Sequence, residues 1–212
     1  MEIFVNDVRL SFPDLRTRGR PAKDKPNEPG KYGCQGIFAK ESPAHVALRN
    51  AVITVAKEKW GDKWQNIVGS LPNDKKCLRD GNKNLDAKGN IRPEYEGMMY
   101  VKASNNSEVP LIAAKAKKAD GSWNLLPASS GKPYGGCYVN LKIDVYASTK
   151  HGNAVHATLQ AVQFVRDGDA FAGAPATADG FGDVEGAVDE DAPSSMDGET
   201  ATVGADNSDL GL

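Results

Sequence analysis

Residues 138–146 read Tyr138-Val139-Asn140-Leu141-Lys142-Ile143-Asp144-Val145-Tyr146. Val139, Leu141, Ile143 and Val145 point one way, and Tyr138, Asn140, Lys142, Asp144 and Tyr146 point the other, the period-2 signature of a half-buried strand. The next apolar run, 155–165, keeps the pattern until Ala161-Val162, where the phase changes and predicts a bulge. Upstream, Val8, Leu10 and Phe12 alternate with Arg9 and Ser11, and 32–38 resumes as a second strand. Met99, Val101 and Ala103 mark a third strand, 109–113 a fourth, and 122–125 a short extension.

One segment breaks the β pattern. Ser42 followed by Pro43 is an N-cap with proline at the first helical position. Ala44, Leu48, Ala51, Val52 and Val55 then fall at three-and-four spacing, which predicts a helix to about Trp60, ended by Gly61 and followed by a short helix carrying Trp64, Ile67 and Val68. Short strands around a helical insertion predict a mainly β fold, a small five-stranded antiparallel barrel. Among such barrels the oligonucleotide-binding (OB) fold is the natural candidate, although periodicity alone does not separate it from other small β-barrels.

Charge divides the chain in two. All 26 Lys and Arg lie at or before Arg166, with 16 Asp and Glu, so residues 1–166 carry +10. Residues 167–212 hold 12 acids and no base, hence −12. The expected organisation is a basic nucleic-acid-binding domain, 1–166, and a Gly-, Ala-, Asp- and Ser-rich tail, 167–212, too poor in apolar residues to order itself. A basic body joined to an acidic tail points to a polyanionic ligand with a built-in competitor.

No signal-like start and no apolar run of membrane-spanning length is present, so the expected location is the cytoplasm, without membrane. Cys34, Cys77 and Cys137 are odd in number and widely spaced, which argues against a disulfide framework or a zinc knuckle. Asp80-Gly81-Asn82-Lys83-Asn84 begins like a calcium loop, but Leu85 replaces the required glycine and Ile91 the bidentate glutamate. No nucleophile elbow, phosphate loop or histidine pair at ligand spacing occurs. No catalytic residue, metal or cofactor is expected.

What remains is aromatic rings interleaved with cations, the combination single-strand binding requires. Tyr138, Asn140 and Lys142 share one strand face, and Tyr100 and Lys102 share another. Arg79, Lys115, Lys117, Trp123 and Tyr134 lie in or beside basic turns, and Arg16, Arg18, Arg20, Lys23 and Lys25 form a Pro- and Gly-rich basic loop. The residue pattern leaves a homodimer through sheet edges open.

These segments resemble a known family. Val8-Arg9-Leu10-Ser11-Phe12, Lys31-Tyr32-Gly33-Cys34, Leu78-Arg79-Asp80-Gly81, Glu96-Gly97-Met98-Met99-Tyr100-Val101-Lys102-Ala103-Ser104, Gly136-Cys137-Tyr138-Val139-Asn140, Ala161-Val162-Gln163 and Arg166-Asp167-Gly168 follow in order over residues 3–172. The set is similar to that of phage single-stranded-DNA-binding proteins formerly known only as a domain of unknown function, and to podophage replication single-strand binders in design. The resemblance implies an OB fold, a role in phage replication or recombination, and a tail that competes with DNA and recruits replication or recombination proteins. Arg79, Tyr100, Lys102, Tyr138 and Asn140 fall in the motif segments. The chain departs from the usual pattern by lacking a terminal aromatic, so Phe181, or Asp209 with Leu210 and Leu212, is the expected docking element.

Rival readings are a strand-annealing mediator that handles duplex as well, a small nuclease with carboxylates convergent in space, and a virion protein whose basic body meets an acidic partner.

Overall fold

The computed structural model describes residues 1–21 and 26–171. Among these residues eight strands form one sheet: β1 (Glu2–Asp14), β2 (Tyr32–Ala39), β3 (Leu78–Asp80), β4 (Met98–Asn105), β5 (Leu111–Lys117), β6 (Trp123–Leu125), β7 (Tyr138–Ser148) and β8 (Ala154–Arg166). Helices α1 (Pro43–Trp60) and α2 (Trp64–Ser70) lie between β2 and β3.

Five strands close on themselves in the ring β1-β2-β4-β8-β7. Numbered by their order in the chain, these barrel strands neighbour one another as 1-2-3-5-4-1, the OB arrangement. Four seams are antiparallel, and the fifth, β4 with β8, is parallel. Parity requires this: directions that alternate around a ring of five cannot alternate at every seam. The parallel seam is only the pair Ser104↔Thr158. On either side of it the two strands diverge, and short strands fill the openings. β3 pairs with β4 at 99–101, and β5 pairs with β8 at 161–163.

The alternation read at 138–146 sets the interior. Val139, Leu141, Ile143 and Val145 are all fully buried, with Val5, Val8, Leu10, Val101, Leu159 and Val162. Each buried side chain of this size contributes about 1.5–3 kcal/mol over exposure. The bulge expected near Ala161 is present. Ile143 faces Leu159 and Lys142 faces Ala161, so Gln160 is the extra residue and the inward phase moves from Leu159 to Val162. Helix α1 starts as its sequence requires, with the Ser42 hydroxyl accepting from His45 N at 3.3 Å, and lays Leu48, Ala51, Val52 and Val55 onto the core. All three cysteines are buried thiols, and burial pushes those of Cys34 and Cys77 up to about 12. Among the described residues no helix is long and apolar enough to cross a membrane.

Four expectations change. β1 begins at Glu2 rather than Val8, because Phe4 and Val5 continue it beside β7. Phe12 does not follow Val8 and Leu10 inward. A register shift after Ser11 and a left-handed backbone at Phe12 (φ 47°) turn its ring out to 43% exposure. The turn-rich stretch 70–97 contributes β3 and then folds over the outside of β4. Finally, contacts with the barrel continue past Arg166. Asp167 joins Lys132 and Tyr134, Arg9 donates to the Asp169 carbonyl at 2.8 Å, and Phe171 N donates to the Gly135 carbonyl.

Candidate nucleic-acid interface

A cleft of about 1320 Å³ crosses the outer face of the barrel. It exceeds the roughly 300–1,000 Å³ of small-molecule pockets, which suits an extended chain. Gly33 and Gln35 of β2, Lys102 and Ser104 of β4, and His156 and Thr158 of β8 form its floor. The loop joining β1 to β2 supplies Gly19, Arg20, Gly30 and Lys31, and the loop joining β7 to β8 supplies His151 and Gly152. β2 and β4 are the second and third barrel strands, which with these two loops carry oligonucleotides in OB folds, and β8, the fifth, completes the floor.

The local sequence explains why the cleft stands open. At Gly33 a Cβ would lie 2.8 Å from the Ala103 carbonyl oxygen, so the floor there is bare backbone. At Gly30 a Cβ would meet the Gly19 carbonyl oxygen at 1.6 Å, so the two limbs of the basic loop touch only because glycine stands there. Arg18 ties the loop down. Its guanidinium donates to the carbonyls of Gly30 (2.9 Å) and Asn106 (2.6 Å) and lies 4.8 Å from the Tyr32 ring centroid.

Cations crowd this cleft. Arg20, Lys31, Lys75, Lys76, Arg79 and Lys102 line it, against Asp14, Glu28 and Asp74. Arg79 is aimed by its own turn, donating to the carbonyls of Lys76 (2.6 Å) and Asp74 (2.8 Å). Lys102 is held below the usual lysine range by desolvation, then by Arg79 and Lys31. His156 is held below the usual histidine value by desolvation, then by Lys31, Lys75 and Arg79. Beyond desolvation, Lys31 and Arg79 bear on both groups, a repulsion among cations that a polyanion in the cleft relieves. Rings accompany the charge: Phe12, Tyr32, Tyr146, His151 and His156 all line the cleft.

The residues singled out from sequence divide. Arg20, Arg79 and Lys102 meet in the cleft. Tyr100 has the outward register expected but is only 3% exposed, so its proposed stacking role is corrected. The 81–97 segment covers it, with Tyr95 edge-on at 5.1 Å and Ile37 beside it. Lys115, Lys117 and Trp123 lie on the β5–β6 hairpin. Asn140 is used at both ends, accepting from Asp7 N and donating to Gln163 Oε1. Lys142 pairs with Glu2 at 3.0 Å. Tyr138 lies under the Arg166 guanidinium, 3.7 Å from the ring centroid, and the Tyr134 hydroxyl bonds Asp167 and Gly168. Arg16 serves the carbonyls of Leu126, Pro127 and Lys132. Lys23, Lys25, Phe181, Asp209, Leu210 and Leu212 lie outside the described residues.

Sequence reasoning missed Phe12, Lys31, Tyr32, His151 and His156 as lining residues. Lys31-Tyr32 directly follows the basic loop, and His156 holds an outward phase on its strand, so both carried a usable signal. Phe12 did not, because its turn outward depends on the bulge. No cluster of metal-ligating side chains occurs among the described residues.

Solved structures share this fold. The single-stranded DNA-binding protein of bacteriophage Enc34, C-terminally truncated, matches with TM-score 0.57 and 22% identity over 80% of this chain and 87% of its own. The same phage's protein in complex with ssDNA matches with TM-score 0.57 and 23% identity over 80% of this chain and 89% of its own. Among sequences, putative protein p50 of Acyrthosiphon pisum secondary endosymbiont phage 1 is 35% identical over 197 residues, 90% of this chain and 98% of that protein. The family model described as "Enterobacter phage Enc34, ssDNA-binding protein" matches residues 1–193, and the chain belongs to that family.

Proposed function

We propose that this protein binds single-stranded DNA, with little sequence preference, along the cleft over β2, β4 and β8. The observation that carries the reading is the cationic crowding at Lys102 and His156 beside the exposed rings of Phe12 and Tyr146. Phosphates neutralise the cations while bases stack on rings, each worth about 1–3 kcal/mol with little regard to sequence. Affinity then falls with salt, at a slope of roughly −0.7 for each phosphate neutralised. Such a protein protects single strands during phage DNA replication or recombination in the host cytoplasm.

The acidic segment is the cleft's intramolecular competitor. It carries twelve carboxylates from Asp167 onward and no base. When DNA displaces it, Phe181, Asp209, Leu210 and Leu212 become available to replication or recombination proteins. Because residues 167–171 pack with the barrel, the informative truncation ends after Phe171 rather than at 166.

Fluorescence anisotropy of labelled oligo-dT tests both statements. The full chain and the 1–171 form are titrated at low and high salt, with duplex as competitor. Salt-sensitive, single-strand-selective binding that tightens on truncation is expected. Equal affinity for duplex would instead favour a strand-annealing mediator, and no binding by either form would overturn the reading.

A further inference from the structure

The outer face of β7 and β8 extends beyond the cleft. At the cleft end it carries Tyr146 opposite His156, and further along Lys142 opposite Ala161 and Asn140 opposite Gln163. β5 continues that face, pairing Leu111 with Ala161 and Ala113 with Gln163, and β6 adds Leu125 beside Ala113. The chain itself links the zones. Lys102 through Ser107 line the cleft, and Leu111, four residues beyond Ser107, opens the hairpin. From Thr158 in the cleft floor to Gln163 beside the hairpin, the ladder advances by the four residues from Asp144 to Asn140 on β7, about 13 Å at ~3.3 Å per residue.

The hairpin has the chemistry of the cleft with apolar surface added. Trp123 is 43% exposed, with Lys117 Nζ 5.1 Å from its ring centroid. Lys115, Lys117 and Lys118 are exposed, and among the described residues none of them forms an ion pair. The nearby Asp120 carboxylate is already engaged, accepting from the Ser122 amide and hydroxyl. Leu111 and Leu125 add exposed apolar area on either side of Ala113. Unpaired cations beside an exposed indole fit a polyanion that carries flat rings.

We propose that the β5–β6 hairpin is a second contact zone for the same single strand where it leaves the cleft, with Trp123 stacking a base and Lys115 and Lys117 meeting phosphates. This rests on the reading that the cleft binds single-stranded DNA. The bound strand is therefore longer than the cleft alone would hold, and the hairpin, placed between the third and fourth barrel strands, acts as an extension of the OB platform.

The test uses the full chain, with oligo-dT of about 6 nucleotides, near the lower end of single-OB-fold site sizes, and of about 20, beyond their upper end. Trp123→Ala and the double substitution Lys115→Ala/Lys117→Ala are compared with the parent. Both variants are expected to bind the short probe as the parent does and to lose about tenfold or more on the long one. Indole fluorescence is expected to be quenched by the long probe in the parent and not in Trp123→Ala. Equal losses on both probes, or parental affinity at both lengths, would overturn the proposal. So would a change in self-association without a change in affinity, which would assign the hairpin to a second copy of the chain. If the parent binds neither probe, the cleft reading itself fails, and that outcome is distinct from the others.

Discussion

Tyr146 and His156 face each other across the β7–β8 seam, registered as a cross-strand pair with ring centroids 5.5 Å apart. Both rings line the cleft, His156 from its floor. Desolvation holds the imidazole below its usual pKa, and Lys31, Lys75 and Arg79 push it further down. Asp74, His151 and Lys102 also line the same cleft. An arriving phosphate chain neutralises those lysines and Arg79 and stabilises the imidazolium, so the pKa of His156 is higher in the complex than in the free protein. A ligand that raises a pKa takes up protons between the two values and binds more tightly as pH falls through them. Oligo-dT affinity is therefore expected to strengthen from pH 8 toward pH 6, with His156→Gln flattening that slope. A parental slope in His156→Gln would remove His156 from the linkage.

Phe12 holds its ring over the cleft through a left-handed backbone that costs a non-glycine residue roughly 1–2 kcal/mol. The Arg92 guanidinium lies 5.1 Å from that ring. Strain tolerated at an exposed ring in a binding cleft is the pattern expected of a functional position. Phe12→Gly removes the ring and suits the backbone (φ 47°). It is expected to leave the melting temperature within a few degrees of the parent while weakening oligo-dT binding about tenfold or more. A loss of stability without a loss of affinity would make the ring a packing element.

The barrel was legible because burial there follows alternation. Val139, Leu141, Ile143 and Val145 needed only period 2 to be placed, and the Gln160 bulge announced itself as a break in that period. The cleft was only partly legible. Arg20, Arg79 and Lys102 come from three separate segments, and nothing local says that the loop between β1 and β2 stands over β4. Tyr100 shows the limit from the other side. Its phase was read correctly, but the covering residue Tyr95 belongs to a turn-rich excursion whose path is set by tertiary contacts, including the Tyr95 hydroxyl donating to Gln35 Oε1 at 2.8 Å. Phe12 was misplaced because alternation cannot anticipate a bulge with positive φ.

Gly36 sits on β2 with its α-carbon facing the barrel interior. A Cβ there would lie 2.7 Å from Val8 Cγ2, 2.9 Å from Leu141 Cδ1 and 3.2 Å from Val101 Cγ1. All three neighbours are fully buried and have little room to retreat. Gly36→Ala is expected to destabilise the barrel by about 1–3 kcal/mol, read as a fall in denaturant midpoint. Because the added methyl points away from the cleft, oligo-dT affinity of the folded fraction is expected to stay at the parental value. An unchanged midpoint would mean that the barrel yields to a methyl group.

Arg9 fastens the root of the acidic segment. Its guanidinium donates to the carbonyls of Gly136 (3.2 Å) and Asp169 (2.8 Å) and lies 4.4 Å from the Phe171 ring centroid. Gly136 makes room for the contact. It has φ 110°, and a Cβ would approach the Asp169 carbonyl oxygen to 2.1 Å, so no other residue lets residues 167–171 lie here. Arg9→Ala removes the hydrogen bonds and the ring contact together. The amides of Gly168 and Phe171, which donate to the Tyr134 hydroxyl and the Gly135 carbonyl, are then expected to exchange with solvent faster. The buried amides of β7 are expected to keep parental exchange, because release of a peripheral segment is a local opening rather than a global one. Hydrogen exchange read by mass spectrometry over 167–171 and 138–148 separates the two segments. Equal acceleration in both would show that Arg9 supports the barrel as a whole rather than the anchor of the segment that follows it.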